Sequence, residues 1–308
     1  MRRVFGLILL LGLGIGAARA EEPACAKIRS TDMGWTDIAL TTNTAAILLK
    51  PLGYEMSNSL LGLNIAYESL KSGRMDVFLG NWRPVQDTEF AEYFAHNWVE
   101  VLGTNLTGAK YTLAVPRFVA EGGVHSFDDL AKFSDKFKQT IYSIEPGSNQ
   151  VLVDSVAAGH HGLDGWHVVE SSEQAMLAEV KRAVRRHEWV VFMGWQPHPM
   201  NLDLDMVYLI GGDAEFGPDF GGSTVRTLAR PGFAAACPNV AKLFANLVFD
   251  IDYENAGMKM IIDDGGEAGD VARKLMQQHP EKVKAWLDGV TTRDGAPGLP
   301  AVEQALAR

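Results

Sequence analysis

Cysteine, histidine and positive charge are all scarce in this chain of 308 residues. It holds two cysteines and eight histidines, and 38 acidic residues outnumber 28 lysines and arginines. The formal net charge of −10 comes with no basic cluster, which argues against nucleic acid and anionic membrane surfaces as partners. Neither cysteine has a metal-type neighbour, so no cysteine–histidine metal site is expected. The chain also lacks a Gly-x-Ser-x-Gly elbow, a His-Glu-x-x-His zinc motif and a Walker phosphate loop. An activated nucleophile needs a base in reach, and His160, His161 and His198 read as isolated, solvated surface residues. Enzyme chemistry is therefore not expected, and no cofactor or metal is needed. Beyond the amino terminus, no segment is long and apolar enough to cross a bilayer.

What is present begins with an export signal. Arg2 and Arg3 supply the positive start, residues 7–16 the apolar stretch, and Ala18-Arg19-Ala20 a small-residue cleavage site. The uncharged run 4–18 is shorter than the ~20 residues of a spanning helix, so residues 1–20 read as a cleaved signal peptide rather than an anchor. Cleavage removes Arg2, Arg3 and Arg19 and no acid, taking the net charge to −13. Such a chain suits a soluble protein that handles a cation or a neutral solute. An oxidising compartment favours a disulfide between Cys25 and Cys237 over two buried thiols. That bridge would tie the first strand to a late helix.

At roughly 150 residues per domain, the length suggests two domains. Short apolar runs alternate with longer periodic segments, the pattern of an α/β chain. Strands are expected over 76–79, 110–115, 140–144, 167–169, 189–193, 206–210 and 223–229. Helices are expected over 38–49, 59–71, 85–94, 127–133, 150–158, 173–186, 238–249, 253–262, 267–278 and 281–287. Ser126 and Asp129 supply a capping box for the fourth of these, and 289–300 reads as a loosely held polar tail. This order implies two lobes, each a sheet flanked by helices, joined by crossings near 109–115 and 203–210. Residues 21–111 and 207–308 would form a discontinuous first lobe, and 112–206 an inserted second one.

Three tryptophans share a local setting: Gly34-Trp35-Thr36-Asp37, Gly80-Asn81-Trp82-Arg83-Pro84 and Gly194-Trp195-Gln196-Pro197. A glycine one or two residues before each permits a sharp turn, aiming the indole off the sheet end where ligands bind in open α/β folds. Converging indoles make an aromatic box, the preferred receptor for a quaternary ammonium ion. Trp98, Trp166, Trp189 and Trp286 read as core residues instead. Asp37 serves either as a first-turn charge against the helix dipole or as counterion to a bound cation. Tyr111 is either a half-buried strand residue or a fourth ring. Glu145-Pro146-Gly147-Ser148-Asn149 opens a helix, and its amides would favour an anion.

Taken together with Lys110-Tyr111, these motifs resemble the glycine betaine/choline substrate-binding family of bacterial ABC importers, most closely its choline-binding members. The likeness covers essentially the whole chain after the signal, with Cys25 and Cys237 as a pair. It implies a two-lobed periplasmic binding protein of type II, monomeric, that closes on its ligand and delivers it to a membrane permease. Carried over by motif, Trp35, Trp82, Tyr111 and Trp195 would surround choline's trimethylammonium group. Asp37 would be counterion and hydroxyl partner, and Asn149 a second hydroxyl partner, with Ser148 or Gln150 in its place if the loop shifts. A betaine carboxylate would be repelled by Asp37, and Arg83, the nearest cation, reads as structural; choline is expected over glycine betaine. Carnitine or another methylated amine is the alternative ligand, and an exported choline-ester hydrolase the alternative class.

Overall fold

Apolar runs without polar alternation form strands buried on both faces, as the sequence suggests. The computed structural model describes residues 23–308, and the expected signal peptide lies outside them. Nine strands are present among the described residues: β1 (Lys27–Asp32), β2 (Glu55–Leu60), β3 (Val77–Arg83), β4 (Glu100–Pro116), β5 (Thr140–Ser143), β6 (His167–Glu170), β7 (Val191–Gln196), β8 (Met206–Tyr208) and β9 (Gly222–Ala229). They run in the order β2-β1-β3-β9-β4-β7-β5-β6, with β8 also on β4. β1 lies parallel to β2 and β3, and β5 parallel to β6 and β7. Helices cover these parallel strands, so Val77, Phe78 and Leu79 in β3 and Val191, Phe192 and Met193 in β7 are wholly buried.

β4 joins the two halves. Its first part pairs antiparallel with β9, its last part with β7 and β8, and Lys110 pairs with both Gly222 and Gln196. Only 110–115 of this strand was expected, because 100–109 is polar and its pairing with β9 slips register three times. The strand expected over 206–210 is present as the shorter Met206–Tyr208. Met206–Tyr208 pairs with Ala114, Val115 and Pro116 at the far end of β4. Between β8 and β9, Gly221 has a φ of +65°, and a Cβ there would sit 1.9 Å from the Tyr111 carbonyl oxygen. Only glycine lets this segment pass so close to β4.

Three further expectations change. Residues 59–71 are not one helix: β2 ends at Leu60 and the helix is Leu63–Lys71. β2 is an edge strand with largely exposed side chains, so it lacks the apolar alternation that would announce it. The helix expected over 85–94 is two short ones, Val85–Glu89 and Ala91–Ala95, broken at Phe90, whose ring stacks on Tyr67 at 3.8 Å. The 289–300 tail is anchored by Asn239, which bonds Thr291 through its backbone N–H and C=O, and by the following helix Gly298–Leu306, which buries Val302. The capping box at Ser126 and Asp129 is present as expected. Cys25 and Cys237 are joined in a disulfide, with Cα atoms 5.6 Å apart.

Candidate functional site

The carboxyl ends of the parallel strands deliver the aromatic residues to one place. Trp35 follows β1 and immediately precedes the helix Thr36–Leu49. Trp82 is the penultimate residue of β3, and Trp195 the penultimate residue of β7. Tyr111 on β4 pairs directly with Trp195 across the ladder. Trp82 and Trp195 end strands rather than stand beyond them, whereas Trp35 lies past the end of β1. Only Gly34 serves a turn, with φ +87°; Gly80 and Gly194 lie inside strands, where a Cβ would strike Ile38 or Ala114 within 2.9 Å. Their glycines admit neighbouring side chains rather than bend the backbone.

All four rings line one cavity, together with Asp37, Val85, Gln86, Ile144, Ser148 and Glu173. The Trp82 and Tyr111 ring centroids are 5.8 Å apart, and Phe216 backs Tyr111 edge-on at 5.8 Å. The polar edges of three of the four rings are held by hydrogen bonds. Trp35 Nε1 donates to Glu145 Oε2 at 2.6 Å, Trp82 Nε1 to Asp37 Oδ2 at 3.2 Å, and the Tyr111 hydroxyl to Asn149 Oδ1 at 2.5 Å. With the N–H and O–H groups of Trp35, Trp82 and Tyr111 so engaged, these rings present their π faces to the cavity. Burial raises the Tyr111 hydroxyl well above its ordinary range, so it stays protonated.

Asn149 stands one layer back. It is fully buried, accepting from Tyr111 and donating to Ser143 Oγ at 2.9 Å. Its neighbour Ser148 lines the cavity, and the buried Ser148 Oγ has no hydrogen-bond partner among the described residues. Gln150 points away, onto Asp154. The amides expected to offer an anion a seat are spent on the protein's own groups. Gly147 N donates to Glu170, Ser148 N to the Glu145 carbonyl and Val151 N to Glu89.

The wall is acidic and has no fixed cation, since none of its ten residues is Lys or Arg. Arg83 instead pairs with Asp87 at the surface, the structural role expected of it. Burial, and then the neighbouring Glu173, raise the Asp37 carboxyl to about 7. Glu145, behind Trp35, is raised by burial and by Glu173. Glu254, behind Asp37, is raised well above the carboxylate range by burial and by Asp37. Three acids thus crowd the site around Asp37, a field that a bound cation would relieve.

Glu173 carries no local sequence signal for a place in the cavity wall, and His198 departs from the solvated position expected of it. His198 is no solvated residue: it is 2 % exposed, its Nε2 lies 3.3 Å from Glu173 Oε1, and its ring packs against Trp195 at 4.9 Å. The signal available was the spacing Trp195-Gln196-Pro197-His198, which keeps the imidazole beside the cage. His160 stays exposed, while His161 bridges Asp128 and Glu215 away from the cavity. Trp166 and Trp286 are core residues as expected, whereas Trp98 and Trp189 are half-buried and carry Lys71 and Lys136 ammonium groups on their faces.

A family described as the substrate binding domain of ABC-type glycine betaine transport systems matches residues 26–278. An ABC-transporter choline binding protein solved in complex with choline is similar at 45% identity, over 93% of this chain and 100% of that one, with a TM-score of 0.91. A lactococcal OpuAC in its closed, glycine betaine-bound form matches at 26% identity, over 84% and 98% of the two chains, with a TM-score of 0.75. The glycine betaine/carnitine transport binding protein GbuC of Listeria monocytogenes is 25% identical over 55% of this chain and 56% of its own. The fold is that of type II periplasmic binding proteins, and the family is one of transport components, not enzymes. The chain belongs to the OpuAC family of substrate-binding domains of ABC importers.

Proposed function

We propose that this chain captures choline and delivers it to the permease of an ABC importer. The observation that carries the reading is a cavity of four rings with Asp37 and Glu173 in its wall and no cationic side chain. Choline's head has no N–H to donate, so ring faces must hold it. Each such contact contributes roughly 0.5–2 kcal/mol, and burial of its methyl groups adds about 25 cal/mol per Å². Together these offset association losses of about 4–15 kcal/mol. Asp37 balances the charge, and Asp37 and Ser148 receive the hydroxyl, Ser148 replacing Asn149 in that role. In this reading residues 23–110 and 222–308 form one lobe and 111–221 the other, closing about β4 and the Gly221 crossing. The protein acts as a monomer in the periplasm.

A betaine carboxylate would meet two carboxylates and no cation. Calorimetric titration of the mature protein should therefore show choline bound more tightly than glycine betaine; the reverse order would sink the assignment.

The pH dependence has a definite sign. Asp37 titrates at about 7 in the empty site, and a cation favours its ionised form. Choline affinity should therefore rise roughly tenfold from about pH 6 to pH 8 as Asp37 gives up its proton. For the empty fold the sense is opposite. The folded state holds that proton more tightly than the unfolded chain, so Asp37's contribution to stability falls as pH rises from about 4 to 7. Asp37→Asn should weaken choline, flatten the pH profile and narrow the preference over betaine. Titrations of both ligands at the two pH values check this, and an unchanged preference would leave Asp37 a first-turn residue only.

A further inference from the structure

The start of the helix Thr36–Leu49 has no cap of its own, because Trp35 provides no side-chain hydrogen bond there. The cap comes from the facing half of the molecule. Glu173, the first residue of the helix Glu173–Arg185, is 1 % exposed. Its Oε2 accepts from Thr36 N at 3.0 Å, and its Oε1 from Thr36 Oγ1 at 2.5 Å. Two more bonds converge on the same short segment. Glu145 Oε2 accepts from Trp35 Nε1 at 2.6 Å, and Gln174 Nε2 donates to the Gly34 carbonyl at 3.3 Å. Glu145 Oε1 also accepts from Glu173 N at 3.0 Å, so the two acids form one unit. Segment 34–37, which carries cage residue Trp35 and counterion Asp37, is thus held by acids arriving from beyond β5 and β6.

We propose that Glu173 is a positioning and specificity-determining residue, which caps the Asp37 helix across the cleft and sets a second carboxylate against Asp37. This rests on the choline reading above. With Asp37 on one side and Glu173 on the other, the empty cleft brings like charges together as it closes. A monovalent cation between them removes that repulsion; a zwitterion brings its own carboxylate and restores it. Closure with the cap formed is therefore conditional on a full cation. The titratable groups facing this pair are Glu145 beneath Trp35, Glu254 behind Asp37, Tyr111, and His198 on Glu173 Oε1. His198 holds the Glu173 carboxylate from the Trp195 side, which links the cap to the fourth wall of the cage.

Glu173→Gln keeps the size and one acceptor oxygen but removes the charge. In calorimetric titrations near pH 6 and pH 8, the wild type should bind choline in preference to betaine. The variant should bind choline about tenfold more weakly at pH 8 and lose about tenfold of its choline-over-betaine ratio. Its choline affinity should also vary less between the two pH values, because Asp37 ionises earlier without its neighbour. A lowered melting temperature with the ratio and pH profile unchanged would mean a purely structural residue and overturn the proposal. Glu173→Asp carries the test if the Gln variant does not fold. Retained charge with a withdrawn cap should weaken both ligands and preserve their ratio, and a collapsed ratio would count against the proposal. A wild type that ignores choline would defeat the choline reading itself, a result distinct from either variant's behaviour.

Discussion

Alanine at position 82 should lower choline affinity roughly thirtyfold, about 2 kcal/mol, while the fold survives. Trp82 contributes in two ways that the substitution removes together. Its face is one wall of the cage, tilted at 44° to Tyr111, worth up to ~2 kcal/mol as a desolvated cation contact. Its Nε1 is also a donor to Asp37 Oδ2, at 3.2 Å. Without that bond a buried carboxylate loses a partner, and hydrogen bonds to charged groups contribute about 1.5–3 kcal/mol. β3 remains paired with β9 through residues on either side, including Asn81 with Arg226 and Arg83 with Thr224. Calorimetry measures the first effect and thermal melting the second. Trp195→Ala should act in the same direction, and normal binding by both variants would remove the cage assignment.

Opening the disulfide should cost stability without touching the ligand site. The bridge spans a sequence separation of 212 residues. Chain-entropy arithmetic for so long a loop gives about 5 kcal/mol as an upper figure, and native bridges commonly contribute about 2–5 kcal/mol. Cys25 precedes β1, while the cavity lies beyond its other end, and Cys237 joins the helices Phe233–Ala236 and Pro238–Asn246. Cys25→Ser with Cys237→Ser should therefore lower the urea midpoint markedly. Choline affinity, measured where the variant remains folded, should stay within about twofold. A large affinity loss in a fully folded variant would show that the bridge also sets the position of Trp35.

Much of the fold was legible because its strands are locally distinctive. Val77-Phe78-Leu79 and Val191-Phe192-Met193 have no polar alternation, and such runs are buried from both sides wherever the sheet is parallel. The elements that escaped notice are those whose stability comes from elsewhere. β2 is a polar edge strand, and the first part of β4 is irregular and held by β9. The tail near Thr291 looked loose because its anchor, Asn239, lies 52 residues away in sequence. Met206–Tyr208 read correctly as a strand, yet its partner depended on pairing that no local pattern encodes.

The candidate site divides the same way. By itself, the sequence marked the three tryptophans, because each lies at or just past the end of a legible apolar strand run, and it favoured the disulfide that the fold contains. Only the tertiary structure decided the acidic and polar set around those rings. Glu173 reaches Thr36 across 137 residues, and Glu145 reaches Trp35 across 110. Ser148 faces the cavity while Asn149 supports Tyr111, a choice made by one step of backbone rotation at a helix start. His198 is buried because Glu173 and Trp195 both meet it. Ring faces act wherever a strand end puts them, but a carboxylate's role depends on which charges and donors the folded chain brings within a few ångströms.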